Sequence, residues 1–86
     1  SNVAASLELS ESLSVYPNPT RGLVFIESTQ VQNVLLYDLS GQQLAVALTY
    51  GMNGVVMDFS ELSAGVYFVQ ITTRDGKTEQ LQIIRN

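Results

Sequence analysis

Residues 62–71 hold the pattern that most limits how this chain can fold. Gly65 opens a β-branched and aromatic stretch in which Tyr67, Val69 and Ile71 recur at every second position. That is the side-chain period of a β-strand, because successive side chains of a strand point to opposite faces of the sheet. The residues at positions 66 and 68, which would lie on the opposite face, are apolar as well. The sequence therefore predicts a strand inside a sheet, with other elements covering much of both faces.

Short strands and turns account for the rest of the chain, and no helix of useful length is predicted. Turn signals fall at residues 38–41, 51–54 and 74–77, and the last contains an Asp-Gly pair between two strand-like runs. A single helical turn is predicted at residues 58–62. Besides the central strand, we predict strands at residues 23–28, 32–38, 43–48, 55–58 and 78–84. Within residues 1–14 we favour a linker, and a short edge strand there is the alternative. About seven short strands at this spacing indicate one all-β domain, an antiparallel β-sandwich or a small barrel.

Two prolines stiffen the segment at residues 15–22. Pro17 and Pro19 fix their own φ angles and favour extended backbone at the residues that precede them. We therefore predict a rigid connector rather than a helix or a central strand. Asn18 and Thr20 are expected to bond to nearby backbone, and Gly22 to adopt a positive φ angle before the next strand.

The composition excludes several classes of function. Eight acidic and four basic residues give a net charge of −4, which disfavours binding to the phosphates of nucleic acids. Histidine and cysteine are absent, so the chain lacks disulfides, the commonest metal ligands and the usual neutral-pH general base. No apolar run approaches the roughly 20 residues of a membrane span, and residues 1–5 lack the pattern of a signal peptide. We predict no enzyme activity, no cofactor and no nucleic-acid partner.

Four carboxylates lie at turn signals and are the remaining candidates for chemistry: Asp38, Asp58, Glu61 and Asp75. Asp and Glu at such positions usually accept hydrogen bonds from nearby backbone, and we favour that structural role. A calcium site is the alternative, but the alternating aspartates of a calcium-binding loop are missing.

The aromatic residues suggest two further hypotheses. Tyr67 has the spacing of a tyrosine corner, so we predict a buried ring whose hydroxyl bonds to backbone within residues 62–65. Tyr50, Phe59 and Phe68 could form an exposed aromatic platform for a sugar. The favoured interpretation places them against a sheet face or a turn, because so small a domain usually needs its aromatic side chains in the core.

The order and spacing of these motifs resemble one known family. The motifs are Tyr-Pro-Asn-Pro-Thr at residues 16–20, Leu-Tyr-Asp-Leu-Ser-Gly-Gln at residues 36–42, and Asp-Phe-Ser-x-Leu-x-x-Gly-Val-Tyr-Phe-Val at residues 58–69. A terminal strand that ends two residues after Ile84 follows them. Over residues 15–86 this pattern resembles the type A C-terminal sorting domain of type IX secretion cargo.

The resemblance implies an immunoglobulin-like antiparallel β-sandwich of about seven strands that serves as a folded address. Such domains direct an attached cargo protein through the type IX translocon, from the periplasm across the outer membrane of a Gram-negative bacterium. A sortase-like cysteine protease then commonly removes the domain and joins the cargo to an anionic lipopolysaccharide at the cell surface. The implied partners are the translocon, the protease and the covalently linked N-terminal cargo, and the chain is expected to be a monomer.

The resemblance also implies which residues matter. Residues 1–14 would be the linker from the cargo, and its open, small-residue composition suits a cut near Ser10, Glu11 and Ser12. The recognition motif, carried over residue by residue, is Pro17, Asn18, Pro19, Gly65, Tyr67, Leu81, Ile83, Ile84 and Arg85. The terminal strand departs from the family pattern, because the lysines common in it are missing and Arg85 is its only basic residue. We therefore expect shape and backbone to matter more than positive charge, and we expect this strand to lie at or beside a sheet edge.

The alternative from another class is an immunoglobulin-like adhesion or carbohydrate-binding module of a surface protein. An exposed row of aromatic side chains would favour it.

Overall fold

The structure is a computed structural model, and it describes residues 13–86. This part of the chain contains eight strands and no helix. The strands are β1 (Ser14–Tyr16), β2 (Leu23–Glu27), β3 (Val31–Tyr37), β4 (Gln43–Leu44), β5 (Ala47–Gly51), β6 (Gly54–Asp58), β7 (Gly65–Thr73) and β8 (Thr78–Arg85). Of the predicted linker, residues 1–12 lie outside the described residues.

The strands form two antiparallel sheets of four strands each, with one core between them. Sheet one has the strand order β1-β2-β6-β5, and sheet two has the order β4-β3-β7-β8. The prediction of an all-β antiparallel sandwich is confirmed. Its immunoglobulin-like assignment stays a prediction.

The core consists of the side chains that alternate inward from both sheets. In β2, for example, Val24 and Ile26 are buried while the residues between and beside them are exposed. The largest fully buried apolar side chains are Phe59, Ile26, Leu36, Met57, Ile71, Ile83, Val24 and Val69. An 86-residue chain buries a limited share of its surface, so most inward positions of this sandwich have to be apolar.

The strand predicted to be central is central. β7 pairs with β3 on one side and with β8 on the other. Tyr67, Val69 and Ile71 point into the core, and Val66 and Phe68 are half-buried on the outer face. The two apolar faces read from the sequence therefore correspond to one fully buried face and one half-buried face.

One predicted strand is wrong, because residues 43–48 form parts of two strands in different sheets. β4 pairs with β3 in sheet two, whereas β5 pairs with β6 in sheet one, and the chain crosses between the sheets at residues 45–46. Leu44, Val46 and Leu48 all pack against the core. Because the apolar alternation continues through the crossing, the pattern shows burial but not the change of sheet. The eight strands include these two and Ser14–Tyr16, an edge strand that begins before the predicted connector and overlaps it.

The predicted turns are present, with two differences. Gly41 N donates to Asp38 O at 3.0 Å, and Gly76, whose φ is 91°, closes the β7–β8 hairpin by donating to Thr73 O at 2.9 Å. The predicted helical turn is a single hydrogen-bonded turn, from Leu62 N to Phe59 O, rather than an assigned helix. Gly22 does not adopt the predicted positive φ angle.

Candidate functional site

Residues 17–20 cross from the edge of sheet one to the edge of sheet two, and we call them the proline clip. The chain leaves sheet one at the end of β1, which pairs with β2. Thr20 then forms a parallel bridge with Arg85 of β8. Both proline peptide bonds are cis. The clip therefore links the first and last strands of the described chain, as a rigid connector rather than a helix or a central strand.

Asn18 binds the edge of β8 through its side chain. Its Nδ2 donates to Gln82 O at 2.7 Å, and its Oδ1 accepts from Ile84 N at 2.9 Å. A side-chain amide offers the same kinds of donor and acceptor as a peptide group, so Asn18 takes the place of one peptide of a neighbouring strand. The prediction of local bonding is wrong for Asn18, whose partners lie 64 and 66 residues away. Because the clip lies against a distant strand, that strand supplies the partners.

Thr20 completes the clip with its backbone. Its N–H donates to Ile84 O at 2.8 Å, and its carbonyl accepts from Asn86 N at 2.9 Å. Its hydroxyl donates to Leu23 O at 2.7 Å and accepts from Gly22 N at 3.0 Å, which confirms the predicted local bonding. The residue is 2% exposed, so its polar atoms are removed from water and are satisfied within the fold.

The clip covers half of the outer edge of β8. The groups that it engages belong to Gln82, Ile84 and Asn86. In an antiparallel strand, alternate residues turn their N–H and C=O groups to the same side, so Thr78 and Gln80 also turn theirs outward. Within residues 13–86, no other strand pairs with this side of β8. β8 is thus an edge strand, as expected, with a closed half beside the clip and an open half at residues 78–82.

Arg85, the only basic residue of β8, uses its guanidinium within the fold. Nε donates to Phe59 O at 3.1 Å, Nη2 reaches Ser60 O at 3.4 Å, and Nη1 donates to Asn86 O. A guanidinium presents several donors in a fixed planar arrangement, which suits it to holding several carbonyls at once. Arg85 therefore fastens the turn after β6 to the end of β8, and the expectation that positive charge matters little for recognition stays a prediction.

Tyr67 forms the predicted corner. Its hydroxyl donates to Ser63 O at 2.6 Å, and the residue is 7% exposed. Its ring meets that of Phe59 edge to face, with the centroids 5.7 Å apart, an arrangement favoured by the quadrupoles of the two rings. The contact joins the loop before β7 to the core, beneath the strand end that carries Gly65.

Three of the four turn carboxylates serve their own turns, as predicted: Asp38, Asp58 and Asp75. At Asp38, one carboxylate oxygen accepts from Ser40 N at 2.9 Å, Ser40 Oγ at 2.6 Å and Gln42 N at 3.0 Å. These bonds favour the ionised form, and the Ser40 hydroxyl is the largest cause that lowers the pKa of Asp38 below its ordinary 3.8. The hydroxyls of Ser60 and Thr73 likewise lower the pKa values of Asp58 and Asp75.

The described residues bring no reactive cluster together. Within residues 13–86, no three potential metal-ligating side chains converge, so the calcium alternative gains no support. The same part of the chain has no helix of the length and apolarity that would cross a membrane.

The three aromatic residues considered for a sugar platform do not form one exposed row. Phe59 is fully buried and Phe68 is half-buried on the outer face of sheet two, as the favoured interpretation predicts, whereas Tyr50 in sheet one is 54% exposed. A different pair is exposed: Tyr16 and Phe25 stack with centroids 5.7 Å apart, and they are 45% and 37% exposed. The alternation of β1 and β2 predicts outward side chains there, but register decides which of them stack, and a single sequence does not give register.

The structure places the predicted recognition residues in two groups. Pro17, Asn18 and Pro19 lie against β8, where Ile84 is exposed on the outer face. Most of the others are more enclosed: Leu81 is half-buried against the core, and Ile83 and Tyr67, which pair with each other, are buried. Gly65 is exposed and pairs with Arg85. The structure adds Thr20, which belongs to the motif at residues 16–20, and Gln82, whose contact with Asn18 no local signal indicates. Ser10, Glu11 and Ser12 lie outside the described residues.

Comparisons with known proteins give one match. A family model described as "Secretion system C-terminal sorting domain" matches residues 14–85. Searches of curated proteins and of solved structures gave no significant match.

Proposed function

Because the chain belongs to the family of secretion-system C-terminal sorting domains, which serve type IX secretion, we propose that it directs an attached cargo protein through the type IX translocon. The cargo would pass from the periplasm across the outer membrane, to the surface or the surroundings of a Gram-negative bacterium. The domain itself would be a ligand of the translocon with no catalytic role. Residues 15–86 would form this signal, and residues 1–14 the linker to the cargo.

The proline clip is the observation that best supports this proposal. A sorting signal has to fold on unrelated cargo proteins and present the same surface each time. Asn18 and Thr20 make four hydrogen bonds to the end of β8 and its following residue. They hold the first and last motifs of the family pattern in one surface, and both motifs are available to a receptor only when the sandwich is folded.

We assign the recognition residues two roles within this proposal. Pro17, Asn18, Pro19 and Ile84 are exposed and would touch the receptor. The enclosed members would support that surface from below: Tyr67, Leu81, Ile83 and Arg85. Gly65 is exposed and would contribute through its pairing with Arg85.

Removal of the domain after export is the second part of the proposal. A sortase-like protease would cut the linker near Ser10, Glu11 and Ser12 while the cargo is attached to the surface. Leu13, the residue just after this region, is 5% exposed and belongs to the core. A cut before Leu13 would release the cargo and keep every core residue that lies within residues 13–86.

A reporter fusion tests the sorting function. Residues 1–86 are joined to the C-terminus of a periplasmic reporter in a bacterium with a working type IX translocon, and surface reporter is measured by protease accessibility on intact cells. We expect surface delivery in that host and retention in the envelope of a host that lacks the translocon. Retention in both hosts, or delivery in both, would contradict the proposal.

Point variants are better controls here than a truncation. Deleting residues 82–86 would remove Ile83, which is 0% exposed, so a loss of secretion could reflect unfolding alone. Ile83→Asp places a charge in the core and should retain the reporter by unfolding the domain. Ile84→Ala changes the neighbouring outward side chain, which is 38% exposed, and should leave the fold intact. Comparing the delivery of these two variants separates a loss caused by unfolding of the domain from a loss caused by a changed side chain in its last strand.

Carbohydrate binding is a second candidate, favoured by the exposed Tyr16–Phe25 stack. The stack lines a groove of about 280 Å³ together with Glu27, Thr49 and Asn53. Aromatic faces beside carboxylate and amide groups suit sugar rings. A rise in melting temperature on adding oligosaccharides, lost in Phe25→Ala, would support this candidate, and an unchanged melting temperature would remove it.

A further inference from the structure

The open half of the β8 edge offers backbone groups for another strand. Thr78 and Gln80 turn N–H and C=O groups outward, and the N–H of Gln82 points the same way because its carbonyl bonds to Asn18. The clip already shows that this edge accepts a strand-like neighbour, since Thr20 bridges to Arg85 in parallel. A partner strand paired with residues 78–82 would lie along the same edge of β8 as the clip.

The outward side chains of the open half include no charged residue and no proline. In natural proteins, outward lysines, prolines or bulges commonly prevent an edge strand from pairing with another chain. The outward side chains at residues 78–82 are two glutamines and a threonine. The charged residues of β8 are Glu79 and Arg85, and they pair with Ile71 and Gly65 on the inner side of the sheet. A strand could therefore approach without passing an outward charge.

The outer face of sheet two is free of charged side chains. By strand alternation it presents two aromatic residues among amides, hydroxyls and aliphatic groups: Asn33, Leu35, Tyr37, Gln43, Val66, Phe68, Gln70, Thr72, Thr78, Gln80, Gln82 and Ile84. The outer face of sheet one differs, because it carries Glu27 and Asp58. Protein interfaces are depleted of charge and enriched in aromatic residues at their centres. This asymmetry favours β8 over β5, the open edge of sheet one.

A shallow pocket joins the edge to this neutral face. It measures about 250 Å³ and is lined by Tyr37, Leu39, Phe68, Gln70 and Gln80, among others. Gln80 belongs to both the pocket and the open edge. A strand paired at residues 78–82 would lie beside this pocket and could place a side chain in it.

The clip disfavours a second copy of the chain as the occupant. Two identical edges pair antiparallel around a two-fold axis, and a long pairing along β8 needs the closed half as well as the open half. The clip occupies the closed half with four hydrogen bonds. Only the short stretch at residues 78–82 remains, which is enough to dock against a larger partner surface but provides little for a dimer.

We propose that the protein partner that reads this domain adds an extended, uncharged strand to β8 at residues 78–82 and rests on the neutral outer face of sheet two. This inference depends on the proposed sorting function and names the surface which that function uses. Backbone hydrogen bonds would supply affinity, and the aromatic pocket would supply selectivity.

Proline at position 80 is the sharpest test, in the same reporter fusion. The N–H of Gln80 points away from β7, so Gln80→Pro removes a donor to the partner without breaking a β7–β8 hydrogen bond. Gln80→Val keeps the N–H and is the matched control. We expect surface delivery to fall at least about tenfold for Gln80→Pro, as the loss of one or two hydrogen bonds would give, and to stay at the parent level for Gln80→Val.

A variant that adds a charge tests the same inference if Gln80→Pro disturbs the fold. Gln80→Lys adds an edge-guarding charge with no backbone change, and Thr49→Lys places the same charge on the outer face of sheet one. We expect Gln80→Lys to block delivery and Thr49→Lys to allow it, with both purified variants melting near the parent. Delivery of Gln80→Lys, or equal loss in both, overturns the inference, as does a dimer of the parent in sedimentation that Gln80→Lys dissociates. If the parent fusion itself fails to reach the surface, this result contradicts the proposed sorting function rather than the strand pairing alone.

Discussion

The Asn18→Ala substitution isolates the side-chain half of the proline clip. It removes the donor to Gln82 O and the acceptor for Ile84 N–H, at 2.7 Å and 2.9 Å, and leaves both neighbouring prolines in place. An intramolecular hydrogen bond contributes about 0.5–1.5 kcal/mol net, and these two lie at an exposed edge where water can replace the lost partner. We expect the free energy of unfolding to fall by about 1–2 kcal/mol.

Thermal unfolding of the purified domain, followed by circular dichroism, measures this loss. In a domain of this size, each kcal/mol lowers the melting temperature by roughly 4–8 °C, so Asn18→Ala should melt about 4–16 °C below the parent. Asn33→Ala is the matched control, because Asn33 lies exposed on the outer face of β3 and its side chain forms no hydrogen bond within residues 13–86. It should melt within a few degrees of the parent, as surface substitutions usually do.

Amide hydrogen exchange locates the same effect at a single residue. The N–H groups of Ile84 and Gln80 both point outward from β8, but only that of Ile84 bonds to Asn18. In the parent, Ile84 should therefore exchange more slowly than Gln80, and in Asn18→Ala this difference should shrink. If Asn18→Ala melts with the Asn33→Ala control and the Ile84 amide keeps its protection, the clip does not hold the edge and the reasoning from it is refuted.

Three further predictions concern the corner, a hairpin and the acid response. Tyr67→Phe loses the 2.6 Å bond to Ser63 O and should lower stability by about 1 kcal/mol in chemical denaturation; an unchanged denaturation midpoint would show that the bond has no net value. Gly54→Ala would place a Cβ 2.0 Å from Ile26 O, whereas at Gly51 the nearest atom is 3.8 Å away, so Gly54→Ala should give little folded protein and Gly51→Ala should fold normally. Because hydrogen bonds, led by that of Ser40, lower the folded pKa of Asp38 below 3.8, its contribution is present above that pH and is lost as the pH falls through the folded value. Asp38→Asn should therefore lower the melting temperature near neutral pH, with the gap to the parent closing as the pH falls through the lowered folded pKa of Asp38; a gap independent of pH would contradict this account.

Much of the fold could be predicted because burial and turn chemistry are local properties of a strand sequence. The alternation around Val69 shows a buried face whichever strands lie beside it. Asp-Leu-Ser-Gly at residues 38–41 and Asp-Gly at residues 75–76 specify turns through their own backbone preferences. Tyr67 could be assigned because the hydroxyl finds its partner at Ser63, four residues away.

The predictions that were wrong concern features that depend on contacts between residues far apart in the sequence. The crossing at residues 45–46 keeps the apolar alternation intact, so only strand pairing shows that β4 and β5 belong to different sheets. Asn18 finds its partners 64 and 66 residues away, and nothing near it in the sequence indicates β8. The proline pattern predicts a stiff segment but not the edge that it covers.

The arrangement of the family motif changes how a loss of secretion should be interpreted. Tyr67 and Ile83 are 7% and 0% exposed, so substitutions there act first on folding, and a translocon that reads only folded domains would reject them for that reason alone. Asn18 is exposed, yet it also fastens β8, so its loss weakens the fold and alters the surface together. Gln80 is outward-facing and exposed, and its side chain forms no such structural bond within residues 13–86. If a Gln80 variant melts normally but is not secreted, the loss can be attributed to recognition. The open half of the edge therefore separates loss of recognition from loss of folding better than the motif that identifies the family.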